Sequence, residues 1–243
     1  MIETSIIIIA IISFFTAAFT LMSGFGLGTI LTSIFLLFYD VKIAILTVAV
    51  VHLMNNLLKI SLFGKHVSLN IVKRFGIWTV AGAFIGASLQ GKMDSSGVKI
   101  LLGAVLIFIG LKEVTGIGER MRIPQRMDFF GGLLSGLLGG LVGNQGAVRS
   151  TYLLHYDISK ETFVATSAAI ASLVDFTRIP IYIVNNKDQL VSNTLLVFIT
   201  VLSAFAGTFA GKTLLHIVPL KIFRMYVAVA IVAIGILLSL GKI

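Results

Sequence analysis

Long apolar runs, free of charge on every side, constrain this chain more than any other feature of its sequence. Several extend for about 18 residues or more, enough to cross a hydrocarbon core of about 30 Å. In lipid every backbone N–H and C=O must be paired within the protein, which leaves only helices and closed barrels. Barrel strands alternate apolar and polar residues, and these runs do not. They are therefore read as helices. Charge agrees: 12% of the 243 residues are charged, where a soluble domain carries roughly 25%. The expected fold is an all-α polytopic membrane protein.

The opening MIETSIIIIA carries Glu3 and no basic residue, so it is expected to be the first helix of the mature chain, not a cleaved signal. There is no cysteine, which excludes disulfides, thiolate metal sites and a redox pair. No cofactor or metal is expected. The net charge of +9 lies mainly in the loops. It is scattered and forms no continuous stripe, so anionic lipid headgroups fit it as a partner and nucleic acid does not. Neither HExxH nor GxSxG occurs, and no intramembrane carboxylate pair, so the chain is not expected to be an enzyme.

The apolar segments cover residues 5–22 and 29–38, with SGFGLG between them, then 43–63, 75–90 and 98–113. After a basic linker come 129–142 and 147–155, separated by a second Gly-rich break, then 162–184, 193–216 and 222–241. The order repeats: an interrupted segment, then three helices. Residue matches follow the same order. Tyr39-Asp40-Val41 answers Tyr156-Asp157-Ile158, and Asn56 with Lys59 answers Asp175 with Arg178. Ala83-Phe84-Ile85-Gly86 answers Ala204-Phe205-Ala206-Gly207, and Val98-Lys99-Ile100 answers Leu220-Lys221-Ile222. The expected organisation is two pseudo-symmetric repeats, residues 1–114 and 129–243, joined by a basic linker at 115–128. Such duplications are typical of transporters, with the site at the repeat interface near the midplane.

Each interrupted segment is either one broken crossing helix or a helical hairpin. The first reading makes the halves parallel and divides the loop Lys and Arg almost evenly. The second makes them inverted and gathers the basic residues, Arg120, Arg122 and Arg126 among them, on one side. Positive residues collect in the cytoplasm. The inverted arrangement fits that rule better, with both termini outside.

The chemistry is expected at the breaks. Gly24, Gly26 and Gly28 form the first; Gly139, Gly140, Gly143 and Gly146 form the second, followed by Arg149 and Ser150. Glycines here either let helices pack closely or expose backbone N–H groups toward an anion at a helix N-terminus. In the second break Asn144, Gln145, Arg149 and Ser150 add donors, which favours binding. Arg149 is the sharpest candidate, because a cation in mid-membrane costs at least about 2.5–3.5 kcal/mol. Its counterpart in the first half is Thr32 or a neighbour, so the charge is not duplicated. Asn55, Asn56, Lys59 and Arg178 join the candidate substrate ligands. Lys59 and Arg178 can alternatively snorkel from helix ends. Asp175 is either the neutralising partner of Arg178, three residues on, or a proton-coupling carboxylate, with His52 as its companion in the first half. Gly82-x-x-x-Gly86 and Ser203-x-x-x-Gly207-x-x-x-Gly211 are expected to be packing ridges.

The duplicated plan resembles the sulfite exporter TauE/SafE family, the TSUP permeases, over nearly the whole chain. The likeness rests on the interrupted segments LMSGFGLGTILTSIFLL and GLLSGLLGGLVGNQGAVRSTYLL and on the polar-patch helices VVHLMNNLLKI and SAAIASLVDFTRIP. The Gly-rich AGAFIGASLQGK and LSAFAGTFAGK and the terminal GAVLIFIGLKEV and VAVAIVAIGILL complete it. Family members often carry a denser GGG run with a proline following; neither break has that proline, and the first lacks the GGG. The resemblance implies a multi-pass inner-membrane permease for a small sulfur-containing anion such as sulfite, thiosulfate or an organosulfonate, with protons as a candidate coupling ion. The residues themselves also admit a carrier of another small organic anion, or an anion channel.

Overall fold

Backbone shielded from water closes its own hydrogen bonds, and the apolar runs accordingly form helices, with no strand among the described residues. The computed structural model describes residues 2–23, 26–116, 123–214 and 220–242. Gly24 of the first break and Arg120 and Arg122 of the linker lie outside the described residues. The helices longer than one turn are α1 (Ile2–Ser23), α2 (Leu27–Phe35), α3 (Val41–Phe63), α4 (Ile77–Lys92), α5 (Ser95–Thr115), α6 (Asp128–Val142), α7 (Gly146–Leu153), α8 (Lys160–Ser192), α9 (Thr194–Leu214) and α10 (Leu220–Ser239). Local signals set several boundaries. Asp40 caps α3 by accepting from the Lys42 amide at 2.9 Å, and Asp94 caps α5 through the Gly97 amide at 3.1 Å. Gly116, at φ 63°, ends α5 in the left-handed conformation that glycine adopts without strain. Pro180 lies inside α8, which continues to Ser192.

Three stretches of the described residues are long and apolar enough to cross a membrane: Val41–His66, Lys160–Val184 and Thr194–Lys212. Ser5–Leu21 and Val227–Ser239 are shorter apolar helices. Helices α1 and α10, 22 and 20 residues long, extend beyond these shorter stretches. Helix α5 carries Lys99, Lys112 and Glu113. Helix α4 is 16 residues long and gains length from a π-type turn, Val72–Gly76, at its start.

The bundle is inside-out relative to a soluble protein. Large apolar side chains such as Ile11, Phe84, Phe108, Phe176, Phe198 and Phe209 are exposed, while the interior holds His52, Asn56, Lys59, Arg149, Asp175 and Arg178. An apolar coat of this extent belongs against lipid.

Small residues bring particular helices together. A Cβ on Gly82 or Gly86 would lie 2.2 or 2.3 Å from a carbonyl oxygen of α6, and one on Gly136 would lie 1.9 Å from the Thr79 carbonyl of α4. Gly207 and Gly211 approach the Phe14 and Ala18 carbonyls of α1 in the same way. Both expected ridges are therefore packing surfaces. The contacts also give helix directions. Thr79 meets Gly136 and Ala83 meets Gly140, so α4 and α6 run the same way. Phe14 meets Gly207 and Ala18 meets Gly211, so α1 and α9 do too. His52 of α3 meets Asp175, and Ser68, just past the C-terminal end of α3, meets Thr166, so α3 and α8 are antiparallel. Gly103 meets Ser239 and Gly110 meets Ala228, so α5 and α10 are antiparallel as well. Gly76 touches Ile170 while Arg178 reaches Gly139, next in sequence to the Gly140 that Ala83 meets, which aligns α4 with α8. Helices α6 and α8 thus share one direction, and the chain between them turns back through α7.

Candidate functional site

The two breaks meet in the centre of the bundle. Gly26 (φ 110°) precedes α2 and Gly143 (φ 79°) ends α6; both need a conformation that side chains with a Cβ resist. A Cβ added to Gly28 would sit 3.4 Å from the Gly143 carbonyl oxygen and 3.8 Å from His52 Cδ2. One added to Gly143 would sit 3.2 Å from Arg178 Nη1 and 3.9 Å from Thr32 Oγ1. The first break thus meets the second through Gly28 and the Gly143 carbonyl, and Thr32 of the first half reaches Gly143.

An ordered charge cluster stands beside this junction. Asp175 is fully buried and accepts at both oxygens: His52 Nδ1 lies 2.7 Å from Oδ2, and Arg178 Nε lies 2.9 Å and Nη2 2.7 Å from Oδ1. Arg178 also donates from Nη1 to the Gly139 carbonyl at 2.7 Å, and Tyr182 donates to the Gly140 carbonyl at 2.5 Å. The Gly139 carbonyl thus accepts from Arg178 as well as from the Gly143 amide at 3.1 Å, and Tyr182 reaches the next carbonyl at the end of α6. Asn56 Nδ2 lies 3.2 Å from His52 Nδ1. Arg178 and Lys59, 1% and 5% exposed, do not snorkel. The neutralising pair of Asp175 and Arg178 does form, and His52 joins it from the opposite half.

Arg149 is 2% exposed, one turn into α7, and its charge acts on Lys59, His52 and Asp175. Asn144 Oδ1, Gln145 Oε1, Ser150 Oγ and Thr32 Oγ1 are buried with no hydrogen-bond partner among the described residues. Buried polar atoms are nearly always paired, so a cluster of orphans at one place needs a reason. Gln145 is otherwise held at its carbonyl by Ser135 Oγ, 3.0 Å away. Gly146 opens α7. Asn55 has a different place from its neighbours: its amide donates to the Ala204 carbonyl at 3.2 Å and to Thr208 Oγ1 at 2.7 Å, tying α3 to α9.

Tyr182, Ser135 and Thr32 belong to this centre but do not stand out from the sequence as ligands. Tyr182 carried a signal, since it lies four residues after Arg178 on one helix face. Ser135 and Thr32 carried none, because their roles depend on contacts between distant segments.

A second polar cluster closes one end of α6. Asp128, 4% exposed, accepts from Tyr156 Oη and pairs with Arg74 Nε at 3.3 Å. Burial and the bonded Asp128 carboxylate hold the Tyr156 phenol above its ordinary range.

A lipid-coated helical bundle with broken helices and buried charge at its centre has the construction of a membrane transporter. The chain belongs to the sulfite exporter TauE/SafE family, whose sequence model matches residues 9–238. It is thus a multi-pass membrane protein of a transporter family for sulfur anions. No match to the chain was found among curated proteins or solved structures.

Proposed function

We propose that this chain is a secondary carrier that moves a small sulfur-containing anion, such as sulfite, thiosulfate or an organosulfonate, across the inner or plasma membrane. The anion binds where the two breaks meet. Arg149, Lys59 and Arg178 supply positive charge, Asn144, Gln145 and Ser150 supply polar contacts, and the backbone at Gly143 and Gly146 lines the site. Gly26 and Gly28 shape the opposite wall, and Asn56 positions His52. The observation that carries this reading is the buried cationic excess beside orphaned polar atoms at the Gly28–Gly143 contact. A guanidinium presents a planar fork that matches a pair of oxyanion oxygens.

The frame we propose is an inverted pair of repeats, each with a hairpin and three further helices. The supporting observation is directional: the equivalent helices α3 and α8 are antiparallel, as are α5 and α10. Asp175, with His52, is the coupling group, and protons are the coupling ion. Counterflow in proteoliposomes tests the function. Preloaded sulfite should accelerate entry of labelled sulfite, and entry should saturate. Flux that is linear in concentration and shows no counterflow would make the chain a channel instead.

A further inference from the structure

His52, 9% exposed, stands between the charge cluster and the junction of the breaks, and its two ring nitrogens have different surroundings. Nδ1 lies 2.7 Å from Asp175 Oδ2. An ionised carboxylate only accepts, so Nδ1 donates. The opposite edge of the ring faces the first break. A Cβ on Gly28 would sit 3.8 Å from Cδ2, the carbon bonded to Nε2, and 3.4 Å from the Gly143 carbonyl oxygen of the second break. Asn56 Nδ2 lies 3.2 Å from Nδ1 and 3.3 Å from Nε2. A group almost equidistant from both nitrogens cannot lie in the ring plane without striking the carbon between them. Asn56 therefore stands over the face of the ring and leaves the in-plane position at Nε2 open. No other described group is within hydrogen-bond reach of Nε2.

Asp175 has no comparable opening. Arg178 donates to Oδ1 from Nε at 2.9 Å and from Nη2 at 2.7 Å, and the Nδ1 proton occupies Oδ2. Three donors, two of them on a guanidinium that never gives up its charge, hold the carboxylate ionised. A proton added to the pair therefore goes to Nε2, on the side of the junction. Among the charged groups around the ring, Asp175 favours that proton, and Arg178 and Arg149 oppose it. Lys59 lies about two turns further along α3. Helix α2 carries no titratable residue, and α9 only Lys212, in its last turn. An anion at the junction offsets the opposing charges, so it favours the protonated ring, and by linkage the protonated ring favours the anion to the same degree. Ligands that help each other bind travel together; ligands that compete for a site are exchanged. We infer that His52 carries the coupling proton on Nε2 while Asp175 stays ionised as the residue that positions it, and that proton and anion occupy the junction together, making the chain a proton–anion symporter. The proton comes from water on the side where the anion enters and returns to water where the anion leaves, while the Nδ1 proton stays with Asp175. This inference rests on the anion site and the proton coupling proposed above, and adds the atom that carries the proton and the sense of the coupling.

The probes are thiosulfate and methanesulfonate, whose own charges do not change over the range in which histidine titrates. Thermal stabilisation of the purified full chain by each, at constant ionic strength and from about pH 5 to about pH 8, gives apparent affinities. Affinity should rise as pH falls, by up to about tenfold per pH unit, the slope of one proton bound with each anion. In weakly buffered solution, binding should take up protons. In His52→Gln, whose amide can still donate to Asp175, the affinity should lose its pH dependence and the proton uptake should disappear. Infrared difference spectra of the unmodified protein should show no protonated-carboxyl band on binding, a readout that needs no variant to fold. Affinity that stays level or falls as pH falls, or proton release on binding, overturns symport and leaves the anion site standing. Proton uptake that survives in His52→Gln, or a protonated-carboxyl band that appears with the anion, overturns the assignment to His52. Stabilisation by neither probe at any pH removes the anion site, and this inference with it.

Discussion

Arg149 and Asp175 occupy the same interior but face opposite energetic problems. Arg149 sits on a helix of eight residues, so its position is fixed by the break that starts that helix. Substitution to alanine removes a buried charge that a bound anion is proposed to neutralise, and burying such a charge is itself costly. Arg149→Ala should therefore insert and keep its melting temperature while transport falls to background. Arg149→Lys should retain partial function with weakened binding, because an ammonium offers a point charge in place of a planar fork. Transport at the wild-type rate by Arg149→Ala would sink the assignment. Asp175 is different, because it anchors His52 and Arg178 at once. Replacing it leaves Arg178 buried without its carboxylate, and breaking a buried pair costs about 3–5 kcal/mol. Asp175→Asn keeps the size and some hydrogen bonding, so it should fold with a lowered melting temperature. If Asp175 couples protons through His52, transport by this variant should lose its pH dependence. Unchanged pH dependence together with lower stability would make Asp175 only the structural partner of Arg178.

At the scale of elements, the breaks depend on two different uses of glycine, and substitution should separate them. Gly143 has a positive φ and lies 3.2 Å from Arg178 Nη1 at the point where a Cβ would sit. Gly143→Ala should cost about 1–2 kcal/mol from the left-handed backbone, and also push Arg178 from the junction. It should impair transport more than its stability loss alone explains. Gly86 has ordinary helical backbone, but a Cβ there would lie 2.3 Å from the Leu137 carbonyl oxygen. Gly86→Leu should force α4 and α6 apart and lower expression and melting temperature together. Much of this was legible beforehand. Helix positions followed from the apolar runs within a few residues, since a lipid-facing helix has to be apolar along its length. The break glycines and Arg149 stood out because each is expensive where it lies. The His52–Asp175 bond was not legible, because it joins residues 123 positions apart on helices whose pairing periodicity does not reveal. Nor could the sequence separate Asn55 from Asn56: adjacent residues point about 100° apart on a helix, one toward α9 and the other toward His52. The extension of α8 past Pro180 to Ser192 also escaped, since polar residues after 184 read as loop.

For the whole molecule the open quantity is which side of the membrane each loop occupies. The directional contacts constrain the relation between helices but carry no information about inside and outside. That comes from charge. Arg120, Arg122 and Arg126 sit together in one connection, and transferring such a cluster across the membrane is disfavoured. An inverted pair of repeats also requires the linker to join helices that end and begin on the same side. Helix α5 enters the linker at Thr115 and α6 leaves it at Asp128, so a linker without a crossing meets this condition. The Asp128–Tyr156–Arg74 cluster then belongs at that same face, where a half-exposed Arg74 reaches water. Both ends of the chain belong opposite, because each half crosses an odd number of times when its interrupted segment is a hairpin. The chain has no native cysteine, so single cysteines report without background. A cysteine at position 122 should resist a membrane-impermeant maleimide in intact cells and react once the cells are opened. A cysteine at position 242 should react in intact cells. Labelling of both from outside would require an even number of crossings between them, making the two halves parallel, and would remove the inverted frame. Labelling of 122 alone from outside would keep that frame and reverse its orientation in the membrane.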